Sequence, residues 1–486
     1  MLLGELLKRI EYIECRNFEE CEIYGVSEHS RCIAGGFVFV CVKGSVRDGI
    51  DYYMEAKSNG ALAVVSDRKN AFMNDKNVII VENARKCEAE ISKNLYGENA
   101  SDFKIIGVTG TKGKTTTAKI IAECVSHMGV KCVCIGTLGV EYYEKNHRVN
   151  LRGGGENTTP SAPFMYKTLA DAYSDGAKVA VIEVSSQALK NYRVYGIPFT
   201  VCVFTNFSPD HIGEFEHSSV SEYFEAKRTL FSDYGSKICI VNSDDAYARR
   251  ISDGINHVIE VGTNSESFRL SIIHSDKYHS EFRVNETDFY LSLGGEFNAR
   301  NASLGVVAAS LISGRDISEF KSVLRRISVD GRYEVYKIKD KTVIIDFAHN
   351  TDSLRSVIES VSSTKSGRII SVFGSVGGRS FGRRRELAET AERLSDLIVI
   401  TSDNPGTEPA ENICRDIYNA IEDKSKASIV VDRKDAIVYA IGIAKEKDTV
   451  LLLGKGHESY QLIGEDKIYF SEREIIKSLG AVRVRG

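Results

Sequence analysis

The sequence predicts an α/β protein of three domains, and three observations carry that expectation. At 486 residues the chain exceeds what one hydrophobic core organises. From Phe103 onward, near-continuous apolar runs alternate with helical spacers, the pattern of a parallel sheet covered on both faces. A second β/α series begins near Arg332, and its strands run into clusters of glycine, serine or aspartate, where ligands sit in open α/β sheets. These observations divide the chain into a small N-terminal α/β domain (1–102), a central domain built on a parallel sheet (103–331) and a C-terminal Rossmann-like domain (332–486).

In the first domain the strand candidates are "GGFVFVCV" and "ALAVVSD", separated by polar turns. The turn-rich "KNLYGENASDF" (Lys93–Phe103) marks its end. The central strands read "KIIGVTG", "KCVCIGT", "AKVAVIEVSS", "FTVCVFTN" and "SKICIVNSDD", and the stretch from His257 to Leu293 reads as an appended meander. The last domain contributes "KTVIIDFAH", "GRIISVFGS", "DLIVITSDNP", "ASIVVDR" and "DTVLLLGKGHE".

A net charge of −4 argues against a broad nucleic-acid surface. Eleven scattered cysteines fit reduced thiols of a cytoplasmic protein better than a disulfide framework or a zinc site. The opening "MLLGELLKRIEYIE" does not read as a signal peptide, and no stretch reaches the roughly 18 uncharged apolar residues of a membrane span. A monomer is the expected state.

The strongest motif is "VTGTKGKTTTAKIIAE". It places Gly110, Thr111, Lys112, Gly113, Lys114, Thr115 and Thr116 between a strand and a helix whose apolar residues Ala118, Ile121, Val125 and Met128 recur at helical spacing. Backbone N–H groups of such a loop bind phosphate oxygens, Lys114 supplies a point charge, and Thr115 can hold Mg²⁺. The spacing departs from the strict nucleotide-loop pattern, because Val108 stands where the first glycine belongs. Glu183 ends "AVIEV", and Mg²⁺ or an ion pair would compensate a carboxylate there. Asp210 and His211 end "FTNFSPDH" at the same predicted edge. In "SEYFEAKRTLF", spacing alone makes Lys227 a snorkelling surface residue.

"GTKGKTT", "NTTPS", "EVSSQAL", "FTNFSPDH", "AKRTLF", "GEFNARN", "VDGRYE", "IDFAHNTDSL", "TSDNP" and "GKGHESYQ" occur in the order seen in Mur ligases. The chain most resembles the MurE type, which adds the third peptide residue of peptidoglycan. The resemblance implies an ATP-dependent carboxylate–amine ligase acting on UDP-MurNAc-L-Ala-D-Glu. Its first domain would bind the UDP end of that substrate, through Ser30 and Arg31. Thr158, Thr159, Ser185 and Arg193 would contact the muramoyl-dipeptide. Lys227 matches the lysine carbamylated by CO₂, which would share a second Mg²⁺ with Glu183 and His211. Asn298, Arg332, Asp346 and His349 match nucleotide-contacting positions. Arg379, Asp403, Asn404, Gly454 and Glu458 match positions that grip the incoming amino acid.

The chain departs from the family pattern at His29, where Asp is usual, and at Lys112, where Asn is usual. The D-N-P-R segment of enzymes adding meso-diaminopimelate reads Asp403-Asn404-Pro405-Gly406. Without that Arg, a distal carboxylate would be buried unpaired, at a cost of several kcal/mol. L-lysine, or another amino acid lacking that carboxylate, is therefore favoured; Glu408 and Glu411 read as solvated loop acids or, alternatively, as receivers of a side-chain amine. The alternatives are a folylpolyglutamate-type or cyanophycin-type ligase, a relative acting on a modified wall precursor, or a nucleotide-dependent switch.

Overall fold

The computed structural model describes residues 1–44, 47–69, 72, 75–97, 102–145, 147–151, 157–209, 217–234, 238–364, 366–378 and 381–484. Its elements form the α/β class the sequence predicts, with parallel strands in all three main sheets. The chain divides into two compact units. The first comprises Met1–Lys114, Val125–Val241 and Asp245–Ile259, and the second Thr115–Cys124, Asn242–Asp244 and Glu260–Gly486.

The first unit opens with a five-stranded sheet in the order Glu14–Arg16, Val78–Ile80, Ala61–Ser66, Phe37–Val40, Gly25–Ser27. Strand side chains alternate between faces. Val38 and Val40 therefore join Leu3, Leu6 and Ile91 in one core, while Phe39 and Cys41 join Tyr53 and Ala56 in the other. The same unit holds parallel strands in the order Phe199–Phe204, Lys104–Thr109, Val179–Glu183, Cys132–Gly136. Lys104–Thr109 lies between two of them, in register Val108 to Glu183 on one side and Thr109 to Phe204 on the other. The loop leaving Thr109 is therefore flanked by the loops leaving Glu183 and Phe204.

The expected meander is present in the second unit as antiparallel strands Phe268–Ser275, Ser280–Val284 and Thr287–Leu291. That unit also carries a seven-stranded sheet, in the order Ala427–Ile429, Leu397–Ile400, Ile369–Phe373, Thr449–Leu453, Lys341–Asp346, Glu334–Ile338, Val482–Arg483. The first five strands are parallel and the last two pairings antiparallel. The core strands are almost uninterruptedly apolar, as sheets covered on both faces require: Val450, Leu451, Leu452 and Leu453 are all buried. Among the described residues no helix is long and apolar enough to cross a membrane.

Candidate active site

After Thr109 the backbone turns through Gly110 (φ +149°) and Gly113 (φ +80°) into the helix Lys114–His127, which Gly113 caps. A Cβ on Gly110 would lie 1.9 Å from Thr205 Oγ1, so a side chain there would displace the neighbouring strand end. That strand end braces the loop. Asn206 O accepts from Thr111 N at 2.9 Å, Asn206 Oδ1 accepts from Lys112 N at 2.9 Å, and Asn206 Nδ2 donates to Lys112 O at 3.1 Å. Lys114 Nζ folds back onto the loop, donating to Gly110 O at 2.8 Å and Thr111 O at 3.1 Å. Thr115 and Thr116 are buried in the helix's first turn.

Lys227 is not the surface residue that spacing suggests. Helix Val220–Ser232 turns Tyr223, Phe224, Lys227, Leu230 and Phe231 inward, and Lys227 is 1% exposed. Its ammonium donates to Gly110 O at 3.0 Å and lies 4.4 Å from the centroid of the Tyr223 ring. The Tyr223 hydroxyl donates in turn to Thr111 Oγ1 at 3.1 Å. Spacing along the helix could not show this, because Lys227 lies on the same buried face as Tyr223, Phe224, Leu230 and Phe231.

Glu183 is buried at the end of its strand. Thr137 holds both its oxygens, N–H to Oε1 at 3.0 Å and Oγ1 to Oε2 at 3.0 Å. A Cβ on Gly136 would come 2.1 Å from Glu183 Oε1, so the carboxylate occupies space that only glycine leaves open. Thr158 Oγ1 lies 3.2 Å from Thr137 Oγ1, within hydrogen-bond distance. Thr159 Oγ1 donates to Glu183 O at 2.7 Å and accepts from Ser185 N at 3.0 Å, and Arg193 Nη1 donates to Thr159 O at 3.0 Å. Glu183, Thr158, Thr159, Ser185 and Arg193 are thus one connected network. Burial pushes the Arg193 guanidinium below its ordinary value, with Glu28 the leading opposing charge. His211, with Asp210, lies outside the described residues.

Ser30 and Arg31 form a short 3₁₀ turn in the first sheet's neighbourhood. Ser30 Oγ donates to Glu55 Oε2 at 2.6 Å, and the largely exposed Arg31 stands 3.9 Å from the same carboxylate.

In the second unit, Asp346 ends its strand buried and accepts from Tyr333 N at 2.8 Å. Burial pushes its carboxyl up to about 6, against the pull of Arg332. Arg332 stacks 4.5 Å over Phe347 and donates to Thr115 Oγ1 at 3.4 Å. His349 Nδ1 is 2.8 Å from Phe347 O. Asn298 makes a local bond instead, Nδ2 to Gly294 O at 2.8 Å, in the first turn of helix Glu296–Ser313.

Asp403, Asn404, Gly454 and Glu458 are brought together by the carboxyl ends of Leu397–Ile400 and Thr449–Leu453. Lys455, fully buried, sits among them: Nζ donates to Asn404 Oδ1 at 2.7 Å and Glu458 Oε2 at 2.6 Å, with Asp403 Oδ1 at 3.7 Å. Asn404 Nδ2 donates to Glu458 Oε2 at 3.0 Å, and Gly454 N donates to Asp346 O at 3.1 Å. Arg379 lies outside the described residues. Glu408 Oε2 accepts from Arg384 at 2.6 Å and from Gly378 N at 3.0 Å.

Residues 108–309 match the Mur ligase middle domain, and residues 331–456 match the Mur ligase, glutamate ligase domain. The chain is 37% identical, over 94% of its length and 93% of the relative's, to a protein of Aquifex aeolicus named UDP-N-acetylmuramoyl-L-alanyl-D-glutamate--2,6-diaminopimelate ligase. A Clostridium botulinum protein of the same name is 33% identical over 99% of both chains.

This chain belongs to the Mur ligase family. It is an ATP-dependent amide-bond ligase. A solved structure of a protein with that same name matches with a TM-score of 0.64 at 27% identity, covering 94% of each chain.

As a Mur ligase, the chain shows which residues sequence reasoning passed over. Thr137, which orients Glu183, ends the strand motif "KCVCIGT" but carries no chemical signature of its own. Asn206 and Lys455 stand inside the motifs "FTNFSPDH" and "GKGHESYQ", where their position at strand ends was the available signal.

Proposed function

We propose that this Mur ligase joins an amino acid to UDP-MurNAc-L-Ala-D-Glu. The observation that carries the reading is the network from Glu183 through Thr159 to Ser185 and Arg193, one strand away from the phosphate loop. It would hold a carboxylate substrate beside the triphosphate. Full-length similarity to relatives named for this substrate supports it. In this reading residues 1–102 bind the UDP end through Ser30 and Arg31. Residues 103–331 carry the ATPase chemistry, and residues 332–486 bring the amino acid.

The γ-carboxylate of D-Glu attacks the γ-phosphorus of ATP. A carboxylate O–P bond forms, the bond to the β-phosphate oxygen breaks, and ADP leaves. Lys114 neutralises charge building on the transferring phosphoryl group. The amine of the incoming residue then attacks the acyl phosphate carbon through a tetrahedral intermediate, and phosphate departs. Asn298, Arg332, Asp346 and His349 hold the nucleotide, and Arg379, Asp403, Asn404, Gly454 and Glu458 the amino acid.

Thr115, Glu183, His211 and a carbamate on Lys227 are the residues that would hold two Mg²⁺. The fit rests on the buried Glu183 carboxylate in the space left by Gly136. Bound there, Mg²⁺ supplies charge neutralisation for the phosphates. Addition of CO₂ to a neutral Lys227 Nζ, with loss of a proton, turns a cation into an anionic oxygen donor.

L-lysine is the favoured amino acid, because Gly406 supplies no guanidinium for a distal carboxylate. A second reading, 2,6-diaminopimelate, is favoured by the relatives' names. Purified protein given ATP, Mg²⁺, UDP-MurNAc-L-Ala-D-Glu and each amine in turn decides between them. Phosphate release and a product mass with lysine are expected. Turnover with no amine, or only with folate acceptors, would reject the assignment.

A further inference from the structure

The meander of the second unit holds a cluster that the ligase reaction does not use. Strands Phe268–Ser275 and Ser280–Val284 pair antiparallel, with His274 opposite Glu281, and the turn between them carries Asp276 and His279. Asp276 Oδ1 accepts from the backbone N–H of Tyr278 at 2.7 Å and of His279 at 2.8 Å, which fixes the turn. His274 Nε2 lies 3.6 Å from Asp276 Oδ2, and His279 Nδ1 lies 3.3 Å from Asp276 Oδ1. The two imidazole rings are 5.1 Å apart. Among the described residues no other three His, Cys, Asp or Glu bring ligand atoms within 4.8 Å of one another.

Donor atoms around a tetrahedral ion at metal–ligand distances of 2.0–2.2 Å stand about 3.3 Å apart. The two His–Asp276 spacings, 3.6 and 3.3 Å, are close to that, and ligand atoms of all three residues lie within 4.8 Å of one another. A second feature points the same way. His279 Nε2, the nitrogen turned from Asp276, is 3.6 Å from Glu281 Oε1. A carboxylate on the far nitrogen of a ligating imidazole fixes its tautomer and raises its basicity. The His279 ring is further held by stacking on Tyr290, with centroids 4.9 Å apart.

We propose that His274 Nε2, Asp276 Oδ2 and His279 Nδ1 form a binding site for a divalent transition metal of the zinc, nickel or cobalt class, with Glu281 orienting His279. Two imidazoles and one carboxylate oxygen suit those ions and not Mg²⁺, which takes oxygen donors in near-octahedral array. The half-exposed His274 leaves the remaining coordination position open to water. Binding closes the hairpin at its tip, across the turn whose Lys277 and Tyr278 bond Thr449 Oγ1 at 3.3 Å and Thr342 Oγ1 at 3.1 Å.

The test titrates Ni²⁺ into the whole protein in excess Mg²⁺ by calorimetry, for wild type, the double variant His274→Ala/His279→Ala, and Asp276→Asn. Asp276→Asn keeps an oxygen for the turn's two N–H groups and removes the charged ligand. Wild type is expected to bind one more equivalent than the double variant, and Asp276→Asn to bind at least about tenfold more weakly. Ni²⁺ should raise the melting temperature of wild type and leave that of the double variant unchanged, with ligase turnover in Mg²⁺ equal in both. Cysteine sites cancel, being common to all three proteins. Equal stoichiometry and affinity in the three proteins would overturn the site.

Discussion

Two buried lysines in different units bring their ammonium groups to the carboxyl ends of parallel strands, Lys455 from the loop after Thr449–Leu453 and Lys227 from helix Val220–Ser232. Lys455 is matched: Glu458 Oε2 at 2.6 Å and Asn404 Oδ1 at 2.7 Å take its protons. Lys227 lies against a backbone carbonyl at 3.0 Å and an aromatic face at 4.4 Å. The first arrangement is an ion pair that ties together the loops leaving two strands. The second places an amine beside the phosphate loop, where conversion to a carbamate would give it metal-binding oxygens. Burial of a lysine therefore does not by itself say whether it serves stability or chemistry.

Substitutions can break this contrast. The largest effect belongs to the phosphate loop. Lys114→Ala should lower turnover by about 10³-fold or more while circular dichroism and melting stay near wild type, since it removes charge stabilisation of the phosphoryl group. Lys227→Ala should behave similarly, losing activity with little loss of stability. Removing dissolved CO₂ from wild type should reduce its rate and bicarbonate restore it. An active Lys227→Ala enzyme would remove the chemical half of the comparison.

Lys455→Met should show the opposite pattern. It leaves the Glu458 carboxylate and Asn404 amide without their cation, so a loss of about 3 kcal/mol in denaturant unfolding is expected, with a raised KM for the amino acid. Unchanged stability would mean the pair is not what holds these loops.

Asp346 sharpens the second unit's half. Its folded value of about 6 lies above the ordinary 3.8, so the folded state keeps the proton longer than the unfolded chain. That contribution is fully present below pH 3.8 and is lost as pH rises toward 6. Asp346→Asn should therefore gain on wild type by about 2 kcal/mol between pH 4 and pH 7, read from paired unfolding curves. A pH-independent difference would place Asp346 at an ordinary value.

Much of this was legible in the sequence because glycine-rich turns and apolar runs report backbone and burial directly. The loop from Gly110 to Thr116 and the strand ending in Glu183 were read from such features. Lys227 was misplaced by periodicity, since spacing along one helix cannot see what covers it from other elements. Thr137 and Lys455 escaped for the same reason: each acts through a partner distant in sequence, Glu183 in one case and Asn404 in the other.

The smallest expected effect concerns specificity. Gly406 has φ +58° and no atom within 4 Å of a Cβ built there, so a side chain can start there at about 1 kcal/mol of backbone cost. Gly406→Arg should shift the kcat/KM ratio toward 2,6-diaminopimelate and away from lysine by about tenfold. An unmoved ratio would detach Gly406 from amino-acid choice.

The central claim is that ATP is split to activate a carboxylate for attack by an amine. UDP-MurNAc-L-Ala-D-Glu labelled with ¹⁸O in the γ-carboxylate, turned over with ATP and the accepted amino acid, tests it directly. The account predicts one ¹⁸O in each phosphate released. Unlabelled phosphate during amide formation would contradict it.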